Sequence, residues 1–334
     1  MAFTITETTF GTLPALAIDG DGDGDCDGDA RLLLTLRGAT VISWNVDGIE
    51  LIDGYADELE FADQAGMRSA MMIPFSNRIP AGRYTFDGTD YDLAEGNPER
   101  AGETVLHGLL RLCDFSIVDV VAGEASAIVH LACRALRPGA FGGYPFSVDV
   151  TVDLSVTANS IEFVIAGTNV GDSPAPYGSG WHPYFTIGAA PIAELVVAIP
   201  AETRVVVDSD LIPLEGSAAR KPVADGLDFR APRVLGEQVL DVAFADLIVG
   251  PDGLAHTTMT HPASGRTIDA WQERGLMHVF TSDTVTRPRQ SFAMESVEFM
   301  TNAFGRPDQS ATIRLEPGER RSFRFGATTT LEPR

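Results

Sequence analysis

One histidine between aromatic residues, one carboxylate on an apolar strand and one arginine among prolines are the side chains best suited to chemistry. His182 lies in Tyr177-Gly178-Ser179-Gly180-Trp181-His182-Pro183-Tyr184-Phe185. Pro183 fixes its own φ, removes a donor and biases His182 toward an extended backbone. Gly178 and Gly180 permit a bend or a close backbone approach. Such a stretch can aim an imidazole into a rigid, partly aromatic cleft. It also suits a turn whose histidine is merely buried and hydrogen-bonded, the commoner outcome for so short a stretch. Glu295 lies in Ser291-Phe292-Ala293-Met294-Glu295-Ser296-Val297-Glu298-Phe299. Alternation puts Ala293, Glu295 and Val297 on one face, and Met294, Ser296 and Glu298 on the other. A carboxylate among apolar neighbours is costly to bury unless it is paired or functional. Asn77-Arg78 sits in Pro74-Phe75-Ser76-Asn77-Arg78-Ile79-Pro80-Ala81-Gly82. The planar guanidinium there suits an oxygen-rich ligand or a structural ion pair. His107 is followed by Gly108, which lets a loop approach a ligand or simply turns it. An imidazole and a carboxylate can each exchange one proton near neutral pH, which is general acid–base chemistry. The remaining histidines read differently. His130, in an apolar run, reads as structural, and His256 and His261, in a Thr-rich hairpin, read as exposed.

Bulk properties narrow the setting. The chain has 334 residues, 44% of them hydrophobic, enough for a substantial core. Its net charge of −23 repels nucleic acid and anionic membranes, so neither is an expected partner. Among 24 basic residues, Lys221 is the only lysine. Three cysteines, Cys26, Cys113 and Cys133, are too few and too scattered for a disulfide framework. The N-terminus has no basic region followed by an apolar run, and no uncharged apolar stretch reaches the roughly 18 residues of a membrane helix. A soluble cytoplasmic protein, monomer or homodimer, is expected.

The elements that must position these residues read as strands. Residues 3–18 and 31–52 have strand character, with a hairpin signal at Asp47-Gly48. Between them, Asp19 to Asp29 alternates Asp with Gly around Cys26. It resembles a calcium loop, but the twelfth position is Ala30 or Leu34 rather than an acid, depending on where the count starts. It therefore reads as a solvated hairpin loop without a metal. Tyr84-Thr85-Phe86 and Asp90-Tyr91-Asp92-Leu93 flank a turn at Asp87-Gly88, and residues 115–135 contain further strand-length runs. The clearest period-2 signal is Val148, Val150, Val152, Leu154 and Val156, the pattern of a half-buried antiparallel strand. Asn159-Ser160 turns it into Ile161–Ile165, and the C-terminus adds Thr312–Leu315 and Ser322–Phe325 about Pro317-Gly318. Helical periodicity is scarce, and 33 Gly and 20 Pro punctuate the runs. The expectation is an all-β chain, one large single-domain β-sandwich over residues 1–334.

The pieces, in their order, resemble the aldose 1-epimerase (galactose mutarotase) family. Asn77-Arg78-Ile79, Gly82, Phe86-Asp87-Gly88, Tyr91 and Leu93 are similar to its first signature. His107-Gly108 follows at the family's distance. His182-Pro183-Tyr184-Phe185 is similar to the second signature, Asp241-Val242-Ala243-Phe244 to its Asp-x-x-Phe segment, and Glu295 with Asn302-Ala303-Phe304 to the last. The resemblance implies a β-supersandwich and a cofactor-free, metal-free mutarotation of an aldohexose. It implies Glu295 as general base and His182 as general acid. It implies that Asn77, Arg78, His107 and Asp241 hold the sugar's hydroxyls and ring oxygen. Two departures stand out. His278-Val279-Phe280-Thr281 occupies the place of a family run that begins with a sugar-contacting Gln, so His278 joins the substrate-binding candidates. Trp181 is bulkier than in many members. Both bear on the choice of sugar.

Rival readings are a hexose-6-phosphate 1-epimerase, a non-catalytic carbohydrate-binding protein of the same fold, and a metalloenzyme built on His107, His182 and a carboxylate. A phosphate site would have to be made of arginines. A binding module would not need Glu295 or His182. No local ligand spacing supports a metal.

Overall fold

The computed structural model describes residues 2–21, 29–96 and 98–332. Alternating apolar residues give antiparallel strands that bury one face, and three large sheets result. A nine-stranded sheet runs, in spatial order, through Ser116–Ala122, Ala127–Leu136, Val148–Val156, Ser160–Asn169, Arg320–Leu331, Arg266–Gln272, Ala255–His261, Val196–Ala198 and Arg233–Val234. An eight-stranded sheet runs through Arg220–Pro222, Ala201–Val205, Asp241–Leu247, Leu276–Phe280, Phe292–Val297, Gly180–His182 and Ala70–Met71, with Tyr184–Phe185 also paired to Phe292–Val297. A five-stranded sheet holds Ala2–Phe10, Leu13–Asp21, Ala30–Thr35, Thr40–Val46 and Ile49–Glu50. The only α-helix among the described residues is Glu58–Ala62, and no helix there is long and apolar enough to cross a membrane.

The two larger sheets pack through the expected alternation. Val148, Val150, Val152, Leu154 and Val156 are all buried, and the residues between them are half-exposed. Trp181, from the eight-stranded sheet, reaches across to Phe163 and Phe325 of the nine-stranded one, with ring centroids 5.0 and 6.0 Å away. Its bulk fills the space between sheets, so it points away from the face that carries His182. The strand Ser322–Phe325 is longer than expected, covering Arg320–Leu331, because it pairs on both sides with Ser160–Asn169 and Arg266–Gln272.

The Asp/Gly stretch needs a correction at its start. Asp19, Gly20 and Asp21 continue the strand Leu13–Asp21, paired with Ala2–Phe10, and Asp19 also pairs with Arg31. Pairing on both edges overrides the turn-like sequence, and the ring of Phe3 lies where a Cβ on Gly20 would sit. Residues 22–28 of that stretch lie outside the described residues.

Candidate active site

The eight-stranded sheet has two unlike faces. Phe244, Met277, Val279, Phe292 and Met294 point into the main core. The residues between them point the other way, so Asp241, His278, Glu295 and His182 share one face on neighbouring strands. Register completes the grouping: His278 lies directly opposite Glu295, and Asp241 opposite Phe280. Gly180 lets the strand before His182 lie close, since a Cβ there would be 2.8 Å from the Ser296 carbonyl oxygen.

Two connections close over this face. Arg78–Ile79 pairs with Val105–Leu106, which brings Asn77 beside His107. Both residues are left-handed, at φ 56° and 54°, and the His107 N–H donates to the Asn77 carbonyl at 2.9 Å. Gly108 follows at φ 77°, where a Cβ would meet the Ile73 carbonyl oxygen at 2.2 Å. Only glycine fits such a position. The result is a cavity of about 220 Å³ lined by Asn77, Arg78, His107, His182, Asp241, His278 and Glu295, along with Gln64, Gly66, Met67, Leu106, Tyr184, Phe280 and Thr284.

Inside it, His182 Nε2 lies 3.4 Å from Glu295 Oε1. The His182 ring stacks on Tyr184, with centroids 4.9 Å apart, and meets the His107 ring edge-on at the same distance. Tyr184 is held in turn by the Arg68 guanidinium 4.8 Å above its ring and by its hydroxyl donating to the Gly66 carbonyl. His278 Nε2 is 2.8 Å from Asp241 Oδ1. His107 Nδ1 faces the Met72 sulfur. Arg78 donates to the Asn77 side-chain oxygen at 2.8 Å and has no carboxylate partner among the described residues. The remaining donors of its fork are therefore available to a ligand. Glu295 Oε2 and His182 Nδ1 are buried without a protein partner.

Burial sets the charge states. It pushes the Glu295 carboxyl up to about 7, with Asp241 adding to the rise and His278 and Arg78 opposing it. It lowers His182 to about 3, with the nearby charge of His278 acting in the same direction. His107 is held well below the usual imidazole value by burial and by His182. Burial also pulls His278 down, but the Glu295 and Asp241 carboxylates outweigh it, and its net shift is upward. Burial raises the Asp241 carboxyl, yet its hydrogen bond and charge interaction with His278 leave it lowered overall. A carboxyl poised near neutrality beside imidazoles shifted in opposite directions is equipped for proton transfer.

All seven expected side chains, Asn77, Arg78, His107, His182, Asp241, His278 and Glu295, therefore line one cavity. Glu298 is on the other side of the strand's end, buried, with Arg274 and the Ser179 N–H as its partners. His256 and His261 are half-buried rather than exposed, because Asp252, Asp269 and Ser264 hold them. His130 is a strand residue whose ring faces outward onto Asp153. Gln64, Gly66 and Thr284 had no signal in the sequence. Tyr184 had one, its place two residues after His182. Among the described residues no group of three or more His, Cys, Asp or Glu side chains is arranged to hold a metal ion. Cys113 and Cys133 are free thiols.

Known proteins resemble this chain in sequence and in fold. The chain is similar to the Escherichia coli "Uncharacterized protein YihR", 26% identical over 278 residues and covering 83% of each chain. It is also similar to the galactose mutarotase of Sus scrofa, 26% identical over 70% of this chain and 68% of that one. Its fold matches a galactose mutarotase-like protein from Clostridium acetobutylicum at a TM-score of 0.82, with 12% identity over 99% of each chain. It also matches the aldose epimerase homologue from C. elegans at 0.76, with 19% identity over 99% of this chain and all of that one. The sequence profile described as "Aldose 1-epimerase" matches residues 27–328, nearly the whole length, and the chain belongs to that family.

Proposed function

We propose that the protein is an aldose 1-epimerase that interconverts the α and β anomers of a free aldohexose by acid–base ring opening. One observation carries this reading: a buried carboxyl near its midpoint at neutral pH, 3.4 Å from an imidazole, with both groups lining a cavity of single-ring size. Glu295 takes the proton of the C1 hydroxyl. The C1–O5 bond then breaks toward the ring oxygen, which is protonated by an imidazole. The C1–C2 bond rotates, the ring recloses from the other face, and both protons return. The family resemblance gives the donor role to His182. Asn77, Arg78, His107, Asp241 and His278 supply hydrogen-bonding groups around the ring.

A phosphorylated hexose is less well served. Arg78 is the one arginine among the described residues that line the cavity, and a dianion calls for more.

The test is anomer exchange followed by NMR over a panel of aldoses. Wild-type protein should exchange at least one of them. Glu295→Gln should lower turnover about 10²–10⁴-fold, the usual worth of one acid–base group. His182→Asn should also slow turnover while leaving the fold intact. If Glu295→Gln exchanges as fast as wild type, a non-catalytic sugar-binding protein becomes the better reading.

A further inference from the structure

We propose that His278, held by Asp241, is the residue that protonates the ring oxygen in this chain. The inference rests on the reading of the cavity as a mutarotase site and assigns it a donor other than His182.

Hydrogen bonding distinguishes the two imidazoles. His278 directs Nε2 at Asp241 Oδ1, 2.8 Å away. Its Nδ1 has no protein partner and is not sealed from solvent, so it opens on the cavity that His278 lines. A carboxylate that accepts from one ring nitrogen fixes the tautomer and stabilises the imidazolium, leaving the other nitrogen to exchange the proton. His182 has the opposite arrangement. Its Nε2 faces the base, and its Nδ1 is buried with no acceptor from another residue. A proton on that Nδ1 would have at most its own backbone as acceptor and no carboxylate, which stabilises the imidazolium far less than Asp241 does for His278. A neutral imidazole could donate only by becoming an anion.

Position agrees with this assignment. His278 and Glu295 are directly opposed across adjacent strands, so donor and acceptor stand side by side on one face. The groups facing His278 are Glu295 and Asp241 from its two neighbouring strands, His182 from the strand beyond Glu295, and Arg78 and His107 from the covering connections. The two carboxylates favour its charged form and Arg78 opposes it, while His107 and His182 are themselves shifted toward their neutral forms. The net shift is upward, as that of His182 is downward.

The step balances. Glu295 accepts the C1 hydroxyl proton, the O1 electrons form the carbonyl, and the C1–O5 pair moves to O5. O5 takes the proton from His278 Nδ1, leaving a neutral ring still bonded to Asp241 through Nε2. Reclosure reverses each transfer. His182 then serves as a neutral hydrogen-bond partner that orients Glu295.

His278→Gln gives the test, because Gln keeps a hydrogen-bonding amide but cannot titrate. Turnover should fall about 10²–10⁴-fold with KM changed only a few-fold. The alkaline limb of the pH–turnover profile should disappear in His278→Gln and persist, at a lower rate, in His182→Asn. An active wild type with His278→Gln within about threefold of it in turnover, or with the limb lost in His182→Asn instead, overturns this assignment alone. A wild type that exchanges no aldose overturns the mutarotase reading and this assignment with it. Should the variant not fold, ¹⁵N-histidine NMR of the wild type decides. At neutral pH, His278 should show two protonated ring nitrogens and His182 one; the reverse pattern overturns the proposal.

Discussion

Glu295 is placed where its charge costs stability, and that cost has a readable pH dependence. The folded carboxyl titrates near 7, above its ordinary 4.5, chiefly because it is buried. The folded state therefore binds this proton more tightly than the unfolded chain does. Its contribution is fully present below about pH 4.5 and is lost as pH rises through about 7, amounting to about 3 kcal/mol. His182 runs the other way, since its depressed value weakens the fold as pH falls below its ordinary range. Glu295→Gln removes the first effect only. The variant should be more stable than wild type at pH 8 by roughly 1–3 kcal/mol, and the gain should shrink to nothing by about pH 4. Denaturant unfolding at the two pH values checks this, and an equal shift at both would show that the substitution acts through packing instead. At this scale much of the site could be read from residue types. An acid on an apolar strand and a histidine followed by Pro183 are local anomalies. Their protonation was not legible, because it is set by burial first and then by His278 and Asp241, which only the folded sheet brings beside them.

Period-2 alternation is what converts those residues into a site. The neighbouring strands each send one polar side chain to the cavity face and apolar neighbours to the core, and the sequence shows that pattern within each strand. It does not show that Leu276–Phe280 lies beside Phe292–Val297 with His278 opposite Glu295. That pairing is a long-range choice among strands of similar composition. The connections were less legible still. Asn77 and His107 are left-handed without being glycine, and Gln64 enters from a short turn whose amide is held by Arg111 and the Phe61 carbonyl. The alternation nevertheless makes a sharp contrast between two neighbouring acids. Glu298 is bonded to Arg274 and Ser179, away from the cavity. Glu298→Gln should therefore leave turnover within about threefold of wild type, because it removes no acid–base group. It should destabilise the fold by about 1–3 kcal/mol, because a buried hydrogen-bonded charge is lost. Turnover and unfolding measured on the same preparations test both halves, and a turnover loss matching that of Glu295→Gln would put the strand in the wrong register.

Across the whole molecule, a net charge of −23 surrounds a cavity whose own lining includes Arg78 and a histidine raised toward its charged form. Composition foretold an acidic β-protein with a large core. It gave no reason for three large sheets rather than two, since the five-stranded N-terminal sheet has the same alternation as the others. The Asp/Gly stretch adds charge far from the cavity in sequence, where every lining residue lies between Gln64 and Glu295. Its flanks are fixed, since Gly20 pairs with Ala30 and the strands beyond continue in antiparallel register. A two-residue Asn-Gly turn in place of residues 22–28 would join the same register, as such turns do in tight hairpins. It would also remove the charges of Asp23, Asp25 and Asp27 from a chain whose net charge is −23. The shortened protein should keep wild-type turnover within about twofold, far less than the loss of one acid–base group would cause. It should melt higher than wild type at low ionic strength, with the difference shrinking as salt screens the repulsion over about 10 Å and less. Turnover and melting temperature at low and high salt decide it. A large loss of turnover would mean that residues 22–28 reach the cavity, and a stability gain indifferent to salt would mean that chain shortening, not charge, is responsible.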